Sequence, residues 1–151
     1  MHRNKVKEIL TQYKENQNDI ELHEEVANIG ASFVSVGGGE KNNHSKVEEE
    51  ADYRFENEQE IKKKEQFNEL VDIALNKLKP TQKEIIRHKY NMIKDKSYQR
   101  YDIGAVPDTD IAAWDKMPSR PSVNLKRNQA IQELCTLFDK LNLDKYIFNS
   151  G

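Results

Sequence analysis

The sequence predicts an all-α protein, with an N-terminal helix and a long acidic helix followed by a C-terminal three-helix helix-turn-helix domain. Apolar residues recur at three- and four-residue steps along most of the chain, the period of an amphipathic helix. Glycines and prolines fall at the places where those stretches stop or start. Hydrophobic residues are 36% and charged residues 33% of the 151, a balance that suits helices with wide solvated faces.

Residues 1–29 make the first element. Val6, Ile9, Leu10, Tyr13, Ile20, Leu22 and Val26 stand among polar residues with no Pro, and Gly30 is expected to stop the helix. Residues 30–45, with Gly37, Gly38, Gly39, Asn42 and Asn43, predict a flexible linker. A phosphate-cradling loop would need Gly-Lys-Ser/Thr after the glycines and a buried strand before them, and the sequence has neither.

Residues 46–79 predict the long acidic helix, with Ser45 and Glu48 placed as a capping box. Seven acids from Glu48 to Glu60 precede Lys62, Lys63 and Lys64, an order that complements the helix dipole. In its second half Phe67, Leu70, Val71, Ala74, Leu75 and Leu78 form one stripe that must pack on something.

Residues 80–145 predict the helix-turn-helix domain. Pro80 ends the long helix, and Thr81 with Glu84 reads as the capping box of the next, which runs to about Ile93 and buries Ile85, Ile86 and Tyr90. Residues 94–107 lack helical periodicity and read as a loop that packs its own tyrosines on the domain, the alternative being that Tyr98, Arg100 and Tyr101 add contacts to a DNA backbone. Asp108 or Thr109 caps a short helix carrying Ile111, Ala112 and Trp114, and a tight turn at Met117 and Pro118 follows. Ser119, or Ser122, caps the last helix, which tolerates Pro121 in its first turn. Residues 146–151 form a tail in which Tyr146, Ile147 and Phe148 can fold back.

The net charge of −2 conceals an asymmetry. Residues 1–75 hold 10 Lys and Arg against 17 Asp and Glu, whereas 76–151 hold 14 against 9. A basic C-terminal half suits a phosphate backbone, and the acidic half is expected to point away from it.

In the last helix Val123, Ala130, Ile131, Leu134 and Phe138 share one side, which is the core side. Pro121, Asn124, Leu125 and Asn128 lie opposite, flanked by Ser122, Lys126 and Gln129, with no acid among them. Asn and Gln pair with adenine, Leu125 suits a thymine methyl, and Ser, Lys and Arg near a helix N-terminus hold phosphates. Arg127 falls near the core edge.

The stretches LKPTQKEIIRHKY, DTDIAAW and SRPSVNLKRNQAIQEL resemble sigma-factor region four. With the acidic helix ahead of them, they resemble phage-encoded ArpU/RinA-type transcriptional regulators of late, packaging and lysis genes. The resemblance implies Ser119, Arg120, Ser122, Asn124, Lys126 and Arg127 as DNA-facing positions; Leu125 and Asn128 join them from the helix projection. It also implies double-stranded DNA as the partner, with RNA polymerase or a second copy of the chain engaged by the N-terminal helices. Two features depart from the family pattern: the loop at 94–107 is longer, and Met117-Pro118 stands where its turn has Gly.

No enzyme site competes. His2, His23, His44 and His88 are scattered without metal-ligand spacing, Cys135 sits in apolar rhythm with no paired base, and no cofactor motif occurs. With no run near the ~20 apolar residues of a membrane span, the expected location is the cytoplasm of a bacterial host cell. Two other readings remain open: a small terminase-like DNA-packaging subunit, and a protein-interaction module or inhibitor using the acidic helix.

Overall fold

A computed structural model describes the backbone of residues 1–36, 44–93, 100–114 and 116–147, and the side chains of these except 30–57 and 146–147. The fold is all-α: α1 (Arg3–Val36), α2 (His44–Asn76), α3 (Pro80–Lys89), α4 (Asp108–Ala112), α5 (Arg120–Lys140) and α6 (Asp144–Ile147). No described helix is long and apolar enough to cross a membrane.

α1 does not stop at Gly30 but continues to Val36. A single glycine costs a helix only about 1 kcal/mol relative to Ala, and α1 has α2 alongside it for support. The expected linker is shortened at both ends, since α2 starts at His44; Gly37 to Asn43 and the Ser45–Glu48 capping box lie outside the described residues and side chains. The two helices run antiparallel, because contacts climb one as they descend the other. The Tyr13 hydroxyl donates to Asp72 at 2.6 Å, Asn16 donates to Asn68 at 3.2 Å, and Lys64 pairs with Asp19 at 2.8 Å. Asn16 and Asn68 are buried, and Asn68 also donates to the Tyr13 carbonyl at 3.1 Å, so the polar pair inside this seam is satisfied and fixes its register.

α2 ends at Asn76 instead of 79, and Leu78 is buried in the closing turn, its N–H donating to Leu75 O at 3.1 Å. Pro80 is the first residue of α3, where its missing N–H costs nothing. The expected Thr81–Glu84 box does not form. Gln82 accepts the Lys79 N–H at 3.4 Å, and Glu84 pairs with Arg87 one turn on at 2.9 Å.

α3 closes at Lys89, short of the expected Ile93, through a Schellman motif. Asn91 takes φ +55°, its N–H reaches His88 O at 3.3 Å, and Met92 N–H reaches Arg87 O at 2.8 Å. α5 closes the same way: Asn142 has φ +53°, and Leu143 N–H donates to Phe138 O at 3.2 Å. In both motifs the next apolar side chain, Met92 or Leu143, returns into the core.

Two apolar clusters hold these helices. The larger unites Val6, Ile9, Leu10 and Tyr13 of α1, Phe67, Val71, Ala74 and Leu75 of α2, Ile86 of α3, and Ala130, Ile131, Leu134, Cys135 and Phe138 of α5. The smaller joins Ile85, Val106, Ile111 and Val123, covered by Tyr101, Ala112, Trp114 and Met117. The expected boundary near residue 80 therefore divides the chain but not the core. α1 packs directly on α5 as well as on α2.

Candidate nucleic-acid interface

α3, α4 and α5 contact one another pairwise around the smaller cluster. α4 ends at Ala112, with Ala113 as its C-cap, so Trp114 lies beyond it beside His88, ring centroids 5.3 Å apart. The connection to α5 therefore occupies 113–119, longer than the tight turn expected, and Lys116 enters the left-handed region at φ +65°. α4 is capped by Pro107 rather than Asp108 or Thr109. Asp108 instead stands in its first turn, where the helix dipole favours an acid.

α5 starts at the first of the two expected caps, with Ser119 rather than Ser122 as N-cap, no side-chain cap hydrogen bond, and Pro121 in the first turn. Val123, Ala130, Ile131, Leu134 and Phe138 are buried, and Ser119, Arg120, Pro121, Asn124, Leu125, Asn128 and Gln129 are exposed. Ser122 and Lys126 are half-buried on the flank. Leu125 is 58% exposed, an apolar side chain left in solvent in the middle of a polar row. Asn128 donates to Asn124 at 2.8 Å, one turn apart, and accepts from Arg3 at 2.8 Å.

Arg127 is not on this row. One step of about 100° turns it toward α4, where it forms an ion pair with Asp108, both side chains mostly enclosed, 20% and 14% exposed. It fastens α4 to α5, which removes it from the DNA-facing set that the sequence suggests.

The loop before α4 is fastened in a similar way. The Tyr101 hydroxyl donates to Asp110, Arg100 reaches both the Tyr101 oxygen at 2.9 Å and Asp110 at 3.2 Å, and Asn91 donates to Tyr101 O at 3.1 Å. The Tyr101 hydroxyl and then Arg100 hold the Asp110 carboxyl below its usual range. Tyr101 thus packs on its own domain as expected; Tyr98 lies outside the described residues.

Three cations at the edge of this face were not foreseen. Arg3 and Lys7 of α1 and Lys89 of α3 line a cleft with Arg127 and Asn128 of α5, floored by Tyr90 and Ile131. Averaging charge over 75 residues hid the signal. Arg3, Lys5 and Lys7 all precede the first acid, Glu8, so the head of the acidic half is itself basic, and it lies against α5 instead of pointing away.

Compared with protein-family models, with curated proteins and with solved structures, the chain finds no match in any of the three.

Proposed function

We propose that this chain is a sequence-specific DNA-binding regulator of transcription that presents the first three turns of α5 to the major groove. The observation that carries the reading is the acid-free exposed row Ser119, Arg120, Asn124, Leu125 and Asn128, on a helix backed by a short α4 and braced by α3. Asn124 and Asn128 offer amides to adenine edges, Leu125 offers methyl contact to thymine, and Ser119, Arg120, Ser122 and Lys126 hold the flanking phosphates. The Arg3–Asn128–Asn124 hydrogen bonds orient the two amides before DNA arrives, which lowers the cost of ordering them on binding. With the resemblance to ArpU/RinA-type regulators, the reading extends to activation of phage late genes, with RNA polymerase as a second partner.

Selection of bound duplexes from a random pool, followed by affinity measurement on the enriched site, tests this. Asn124→Ala should weaken binding to that site by roughly 5- to 150-fold (about 1–3 kcal/mol) and relax base preference at one position. Lys126→Ala should weaken all sequences alike and flatten the salt dependence by about one phosphate. Unchanged binding when Asn124→Ala and Lys126→Ala are combined, with helicity intact by circular dichroism, would overturn the reading.

A packaging subunit is favoured by a different observation. Leu22, Val26 and Ile29 on α1 are 57–59% exposed at four- and three-residue steps, the spacing of a coiled-coil seam. Native mass measurement separates the two: a closed ring of many copies supports packaging, and a monomer or dimer supports transcription.

A further inference from the structure

The cleft beside α5 brings four cations from three separate elements to one place: Arg3 and Lys7 from α1, Lys89 from α3 and Arg127 from α5, with the Asn128 amide at its rim. We propose that this cleft is a binding site for a phosphate group.

The charge count is lopsided. Arg127 is neutralised by Asp108, whereas Arg3 has the neutral Asn128 as its partner, Lys89 donates to the Val106 carbonyl at 2.9 Å, and Lys7 has no ion pair among the described residues. Burial, and next the like charges of Arg127 and Lys7 set against the attraction of Asp108, push the Lys89 ammonium below its ordinary value. These groups therefore repel one another across a shared space. An anion in that space converts the repulsion to attraction, with Tyr90 and Ile131 lowering the dielectric beneath it.

The shape and the donors select phosphate among anions. The cleft encloses about 200 Å³, room for a tetrahedral oxyanion and some water. The Arg3 guanidinium, two ammonium groups and the Asn128 amide supply donors from several directions, which matches an ion with several equivalent oxygens better than a planar carboxylate. Gly104 forms part of the wall. At its φ of +84° any side chain would be strained, and a Cβ there would stand 3.1 Å from a Tyr90 ring carbon.

The phosphate can come from the DNA backbone beside the α5 row or from a free phosphorylated molecule. Only the first source rests on the function proposed above; the site itself rests on the cleft. The probe is inorganic phosphate, titrated into the full chain against sodium chloride of equal ionic strength, with thermal unfolding and backbone amide shifts recorded. Phosphate should raise the melting temperature by roughly 2–8 °C near saturation, and the amides around Lys89, Tyr90 and Asn128 should shift along one saturating curve.

The double variant Arg3→Gln with Lys7→Gln changes two exposed side chains and leaves the core alone. It should lose both responses while unfolding cooperatively. An equal response in the native chain and the variant would mean that phosphate acts only as a general stabilising salt, and would overturn the proposal.

DNA titrations then distinguish the source. If the cleft holds a backbone phosphate, Lys7→Gln should reduce the salt slope by about 0.9 with base preference unchanged. An unchanged slope, with phosphate binding lost in the double variant, identifies a free phosphate as the ligand. A chain that binds phosphate but no duplex would sink the function proposed above and leave this site standing.

Discussion

Arg127 and Asp108 illustrate how one pair can fasten two helices of the C-terminal half. Their ion pair joins the first turn of α4 to the middle of α5, beside Lys89, whose ammonium already lies close to two other cations. Removing the carboxylate leaves Arg127 mostly enclosed and facing like charge. Asp108→Ala should therefore destabilise the fold by about 1–3 kcal/mol, less than for a fully buried pair because both side chains keep some solvent. Urea unfolding would read this as a lower midpoint at unchanged m-value. An unchanged midpoint would show that the pair contributes nothing to the docking of α4.

Two helix ends have a residue that explains them. Asn91 and Asn142 stop α3 and α5 because asparagine tolerates the left-handed region, and each turns an apolar neighbour back inward. α1 has Gly30 at its expected end, yet the glycine stays helical and α1 runs on to Val36. Its distal half carries Leu22, Val26 and Ile29 in solvent, and the same spacing continues in the sequence to Phe33 and Val36. This is the spacing by which helices pair in coiled coils. Val26→Glu should shift any dimer or higher assembly to monomer in sedimentation, with far-UV helicity preserved. An assembly unaffected by that change would place its contacts elsewhere on the molecule.

At the scale of the whole molecule the two halves share one core. Val6, Ile9, Leu10 and Tyr13 of α1 are buried in the same cluster as Ile131, Leu134 and Phe138 of α5. At ~1.5–3 kcal/mol per fully buried side chain, the α1 contribution alone rivals the ~5–15 kcal/mol by which a small domain is stable. A fragment of residues 80–151 should therefore lack cooperative thermal unfolding, although it contains the entire predicted helix-turn-helix. A sharp transition in that fragment would show that the smaller cluster of Ile85, Val106, Ile111 and Val123 suffices by itself. The shared core also explains how the basic head of α1 reaches the side of α5 and builds the cleft.

By itself the sequence determined the all-α class, the start of α5 to within Ser119 or Ser122, its buried face through Phe138, and the exposed row of Asn124, Leu125 and Asn128. These follow from local periodicity and capping, which a short window contains. Tertiary structure alone decided that Asp108 is the partner Arg127 meets at the core edge, that Asn16 and Asn68 meet in the α1–α2 seam, and that Arg3, Lys7 and Lys89 surround one cleft. Each of these joins residues far apart in the chain, and helical period says which side of a helix a residue takes but not which helix it will face.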